Sequence, residues 1–109
     1  MIDLFETIFD AVLMNSNTLL ALLKQHKAEL SRRFGVKELA LFGSASRNTA
    51  THESDIDILV DFDGPATSQR YYGVQFFLED LFGRSVDLVT TKALRPELRP
   101  FIEKDALRV

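Results

Sequence analysis

The chain has no cysteine, which rules out a disulfide framework and a thiolate metal site and suits a reducing cytoplasm. It has only two histidines, His26 and His52, so any metal centre must rest mainly on oxygen ligands, which favour magnesium or manganese over zinc. Basic residues are in no excess: 13 Lys and Arg stand against 16 Asp and Glu, for a net charge of −3. That balance speaks against a broad grip on extended nucleic acid. The longest apolar run, Leu19 to Leu23, is far too short to span a bilayer. The apolar start, Met1 to Phe5, lacks a basic leader and is followed by Glu6 and Asp10, so it does not read as a signal peptide. Several glycine signatures are missing as well. There is no GxxxxGK[ST] phosphate loop, no dinucleotide-binding glycine pattern and no GxSxG nucleophile elbow. The expectation is a cytoplasmic protein with no membrane partner.

What is present suits one domain over residues 1–109, with 1–17 as an N-terminal helical extension. A chain of this length buries roughly 60–70% of its unfolded surface. Leu4, Phe5, Ile8, Phe9, Val12 and Leu13 recur at helical spacing and predict a helix over Asp3 to Met14. Asn15-Ser16-Asn17 offers a cap for a second helix from Thr18 to about Phe34, which Gly35 stops. Glu38 to Phe42 reads as a strand running into Gly43-Ser44, followed by one possible helical turn and a polar loop from Arg47 to Ser54. Asp55 to Phe62 alternates strictly, with Asp55, Asp57, Leu59 and Asp61 on one face and Ile56, Ile58, Val60 and Phe62 on the other. The apolar face must carry helices, which leaves the acidic face open. A helix over Ser68 to Leu81, a strand over Ser85 to Val89 and a last helix over Pro96 to Lys104 complete the pattern. Together they predict an α/β fold, a small mixed β-sheet with helices packed on one face.

Chemistry concentrates at Gly43-Ser44 and at Asp55-Ile56-Asp57. A glycine–serine turn offers backbone N–H groups and a hydroxyl to a phosphate. Two aspartates at i and i+2 on a strand point the same way, ~7 Å apart, and can hold magnesium against that phosphate. Taken singly, each has an ordinary explanation: a capped turn for the first and a solvated sheet face for the second. Asp87 adds a third carboxylate inside an apolar strand, where it destabilises unless paired or bound to a cation. His26 reads as a surface or satisfied side chain, whereas His52, in the polar loop, is a weaker candidate for nucleotide contact.

Three segments, Leu41-Phe42-Gly43-Ser44-Ala45-Ser46-Arg47, Ser54-Asp55-Ile56-Asp57-Ile58-Leu59-Val60 and Val86-Asp87-Leu88-Val89, carry a family likeness. The chain resembles the polymerase-β-type nucleotidyltransferases, and within them the minimal nucleotidyltransferase, MntA-like branch. The likeness runs from about Leu23 to the C-terminus. One departure is Asn48, where the family has glycine; asparagine also tolerates a left-handed turn. The resemblance implies the nucleotidyltransferase fold, ATP as substrate and two Mg2+ ions. It implies catalytic and metal-binding roles for Asp55, Asp57 and Asp87, and nucleotide-binding roles for Gly43, Ser44, Arg47 and Ser54. For Arg47 a surface ion pair is the alternative.

In this branch the partner is typically a HEPN-domain toxin, a ribonuclease, and the antitoxin transfers AMP to a tyrosine on it. The resemblance therefore implies an antitoxin that adenylylates a cognate HEPN toxin. Two other readings stay open. One is a small-molecule nucleotidyltransferase working with a separate acceptor-binding subunit. The other is a non-catalytic antitoxin that neutralises its toxin by contact.

Overall fold

The computed structural model describes residues 15–51 and 53–109. The expected helix over Asp3 to Met14 and the loop histidine His52 lie outside these residues. The order is α1 (Ser16–Phe34), β1 (Val36–Phe42), α2 (Gly43–Ser46), β2 (Ile56–Phe62), α3 (Ser68–Phe82), β3 (Val86–Thr90), a 3-10 turn (Thr91–Ala93), α4 (Arg99–Asp105) and β4 (Leu107–Arg108). Among the described residues no helix is long and apolar enough to cross a membrane.

Helix α1 begins where the sequence offers a cap, with the Asn15 side chain accepting from the Asn17 N–H at 2.9 Å. It ends at Gly35, whose left-handed φ of 73° lets its N–H close back onto Leu30 and Ser31. Helix α3 starts at the Thr67 cap, which accepts from the Arg70 N–H.

The four strands lie in the order β3-β2-β1-β4. β1 pairs antiparallel with β2 and β4, whereas β2 and β3 are parallel, so the sheet is mixed as expected. Helices α1 and α3 cover one face. There Leu19, Leu23 and Leu30 meet Val74, Leu78 and Phe82 over Leu39, Leu41, Ile56, Ile58 and Val60, all essentially without exposure. Burying a side chain of this size contributes roughly 1.5–3 kcal/mol, so this layer fixes the orientation of β2. With Ile56, Ile58 and Val60 committed to it, Asp57 and Asp61 must face the other way.

That second face is less open than the alternation predicts. Leu59 is buried there with Ala40 and Leu94, under Ile102 and Ala106 of the C-terminal segment. Helix α4 starts at Arg99 rather than Pro96 and roofs the middle of this face, and the carboxylates lie toward its β2–β3 end. The closing strand β4 has no counterpart in the sequence pattern. Its two residues pair with Ala40 and Leu41, and Lys27 of α1 donates to the Val109 carbonyl at 2.8 Å.

The edge strand β3 is closed by side chains of α3. Glu79 accepts from the Val86 N–H at 3.0 Å, Gln75 donates to the Val86 carbonyl at 3.4 Å, and the Tyr71 hydroxyl donates to the Leu88 carbonyl at 2.6 Å. Groups that would otherwise invite another strand are thereby satisfied.

Candidate active site

Register assembles the site. Phe42, the last residue of β1, lies opposite Asp57 of β2, and Asp57 lies beside Asp87 of β3. One row across three strands thus brings the end of β1 to both carboxylates, and Gly43 is the next residue along. Its φ of 69° is left-handed, and a Cβ on it would collide with the Asp57 carboxylate. Only glycine brings the turn backbone this close.

The turn itself is the short helix α2, with no side-chain cap over its first N–H groups. Ser46 commits its hydroxyl to the turn, donating to the Gly43 carbonyl at 2.8 Å. The Ser44 hydroxyl has no partner among the described residues. Thr49 closes the turn through its N–H to the Ser44 carbonyl at 2.9 Å, and Asn48 takes the left-handed φ of 60° that asparagine tolerates.

Asp57 is half-buried between neighbours of its own charge. Desolvation comes first, then the charge of Asp87, a hydrogen bond with Asp87 and the charge of Asp55; together they push its pKa from 3.8 to about 6, against the opposing pull of Arg47. A hydrogen bond between two carboxyl groups requires a proton on one of them. Asp55 and Asp87 are both exposed. Among the described residues no three carboxyl groups converge on a single ion position; Asp57 and Asp87 form the close pair, and Asp55 acts through its charge. This donor set fits a hard divalent cation: all-oxygen, anionic, partly desolvated and mutually repelling until a positive charge arrives.

The remaining expected residues divide. Arg47 is in an ion pair with Asp105 of α4 at 2.6 Å, the surface pairing expected as its alternative, and its charge also reaches Asp57. The Ser54 hydroxyl turns into its own loop, accepting from the Thr51 N–H at 3.0 Å and sharing a 3.3 Å hydrogen bond with the Thr51 hydroxyl. His26 is satisfied, with Nδ1 at 2.9 Å from the Leu22 carbonyl and its ring edge-on to Phe77.

Known proteins are similar to this chain in sequence and fold. Residues 23–109 match the family described as the nucleotidyltransferase domain. Over 89 residues the chain is 37% identical to protein adenylyltransferase MntA of Thermococcus cleftensis, covering 82% of this chain and 90% of that one. A solved structure assigned as a minimal nucleotidyltransferase superposes with a TM-score of 0.74 at 32% identity, over 87% of this chain and 96% of its own. A chain from the complex of the tri-AMPylated Shewanella oneidensis HEPN toxin with its MNT antitoxin shares the fold, with a TM-score of 0.55 at 21% identity over 86% and 67% of the two chains. By its sequence over residues 23–109 and by its fold, the chain belongs to the nucleotidyltransferases, in their minimal, MntA-like branch.

Proposed function

We propose that this protein is an antitoxin that transfers AMP from ATP to a tyrosine hydroxyl of a cognate HEPN toxin, with magnesium as cofactor. The observation that carries the chemistry is the placement of Gly43 against Asp57, in register with Asp87. The turn at Gly43 and Ser44 offers N–H groups and a hydroxyl without a partner among the described residues to the β- and γ-phosphates. Arg47 adds positive charge on the same side. Asp55, Asp57 and Asp87 would hold the two magnesium ions. Bound magnesium supplies charge neutralisation on the triphosphate. Asp87 takes the proton of the acceptor hydroxyl. The hydroxyl oxygen then bonds to the α-phosphorus, the bond from that phosphorus to the bridging oxygen breaks, and pyrophosphate leaves.

A protein acceptor is supported by the 37% identity to an enzyme named as a protein adenylyltransferase. The toxin is supported by the HEPN–MNT complex, whose antitoxin fold this chain shares. Incubation with the cognate toxin, magnesium and ATP labelled at the α-phosphate should label a toxin tyrosine, and EDTA should abolish the transfer. Label arriving from the γ-phosphate would make the protein a kinase. Neutralisation by a triple Asp55, Asp57 and Asp87 variant as effective as wild type would support inhibition by contact instead.

A further inference from the structure

Arg84 stands between the two segments that deliver the outer carboxylates. It precedes Asp87 by three residues, in the turn that leads α3 into β3. Its Nη2 donates to the Thr51 carbonyl at 2.9 Å and to the Ser54 carbonyl at 3.1 Å. Ser54 is the residue immediately before Asp55. The same loop is tied to itself by the Ser54 N–H donating to the Thr51 carbonyl at 3.0 Å, and the Ile56 N–H joins it to the Ser85 carbonyl at 3.0 Å. One guanidinium therefore clamps the backbone entering Asp55 to the backbone entering Asp87.

From this clamp we infer that Arg84 is a positioning residue, fixing Asp55 relative to Asp87 so that the two carboxylates can serve one cation cluster. The inference rests on the reading of both aspartates as ion ligands. Asp55 lies just before β2, outside the residues that the strand ladder holds in the sheet, and its side chain is exposed, so packing alone leaves its direction loosely set. Arg84 is an expensive way to hold a loop. Its Nε is buried and makes no hydrogen bond among the described residues, which adds a desolvation cost. The guanidinium acting on Asp57 is that of Arg47, so Arg84 works through the backbone it holds.

The test uses the full chain, with Mn2+ as the probe, in wild type, Arg84→Met, Arg84→Lys and Arg84→Gln. Groups that orient metal ligands change affinity by about 10–100-fold when removed. Arg84→Met should raise the Mn2+ concentration at half-saturation, read by electron paramagnetic resonance without nucleotide, by about tenfold or more. Excess Mn2+ should restore much of its nucleotidyl transfer. Arg84→Lys, which keeps a cationic donor, should lose less than Arg84→Met. Arg84→Gln, with a shorter amide donor, should fall between them and keeps the measurement available if the Met variant does not fold. Mn2+ affinity in the Met or Gln variant equal to that of wild type would overturn the proposal, as would a loss of transfer that excess Mn2+ leaves unchanged. A wild-type protein that binds neither Mn2+ nor Mg-ATP would instead overturn the reading of the aspartates as ligands, and this inference with it.

Discussion

Asp57 lies in register with Asp87 across the parallel pair β2–β3, and burial together with the like charge of its neighbours raises Asp57 to about 6. Because that value lies above the ordinary 3.8, the folded chain holds a proton that the unfolded chain releases. The stabilisation it brings is complete below about pH 4 and is lost as the pH rises through about 6. In EDTA the melting temperature should therefore carry a component that falls across this window, and Asp57→Asn should lack it. Proton and cation compete for the same oxygens, so Mg2+ affinity should weaken as the pH drops below about 6. Equal slopes for wild type and Asp57→Asn would place the proton elsewhere.

The two carboxylates should separate by function. Asp57→Asn would remove a proposed metal ligand, so metal-dependent ATP binding and transfer should both fall. Asp87→Asn should keep more of the nucleotide binding while losing transfer, because its proposed work is on the acceptor side. Each loss of transfer should be on the order of 100-fold or more. Isothermal titration with Mg-ATP beside a transfer assay checks both. Undiminished transfer in Asp87→Asn would move the third carboxylate elsewhere, with Asp61 on the same strand face the first alternative.

Gly43→Ala should injure activity more than stability. The left-handed backbone alone costs an alanine about 1–2 kcal/mol, a loss urea denaturation would read directly. The added methyl would also press on the Asp57 carboxylate and turn it from the row shared with Asp87. Mg-ATP binding should fall well beyond the loss of folded protein. A variant destabilised by this amount with full transfer would show that the close approach serves the fold alone.

That Gly43, Asp57 and Asp87 lie together follows from residues that obey local rules. Strict alternation from Asp55 to Phe62 fixed which side chains face the helices, and the glycine before Ser44 marked a turn that no other residue could make so tightly. The features that escaped depend on pairs distant in sequence. Strand β4 is two residues long, too short for any period, and exists because Ala40 and Leu41 offer it an edge. Arg47 meets Asp105 across 58 positions, and Arg84 meets Thr51 across 33, with no local pattern to announce either. The bond of the Ser54 hydroxyl with the Thr51 N–H is local, but the sequence pattern did not announce it.

Asn48 does two jobs where the family resemblance expects a glycine. It occupies the left-handed φ of 60°, and its Oδ1 accepts from the Ser16 N–H at 2.8 Å, covering a first-turn donor of α1. Glycine would keep the turn and lose this bond, and Ser16 is buried enough that water replaces it poorly. Asn48→Gly should therefore destabilise the protein by about 1 kcal/mol, while leaving Mg-ATP binding within a few-fold of wild type. Asn48→Ala should cost more, since it loses the bond and must also hold a backbone angle that alanine resists. Urea unfolding of the two variants beside wild type ranks them. If Asn48→Gly proves as stable as wild type, the tie between the turn and α1 contributes nothing, and asparagine here is only a substitute for glycine.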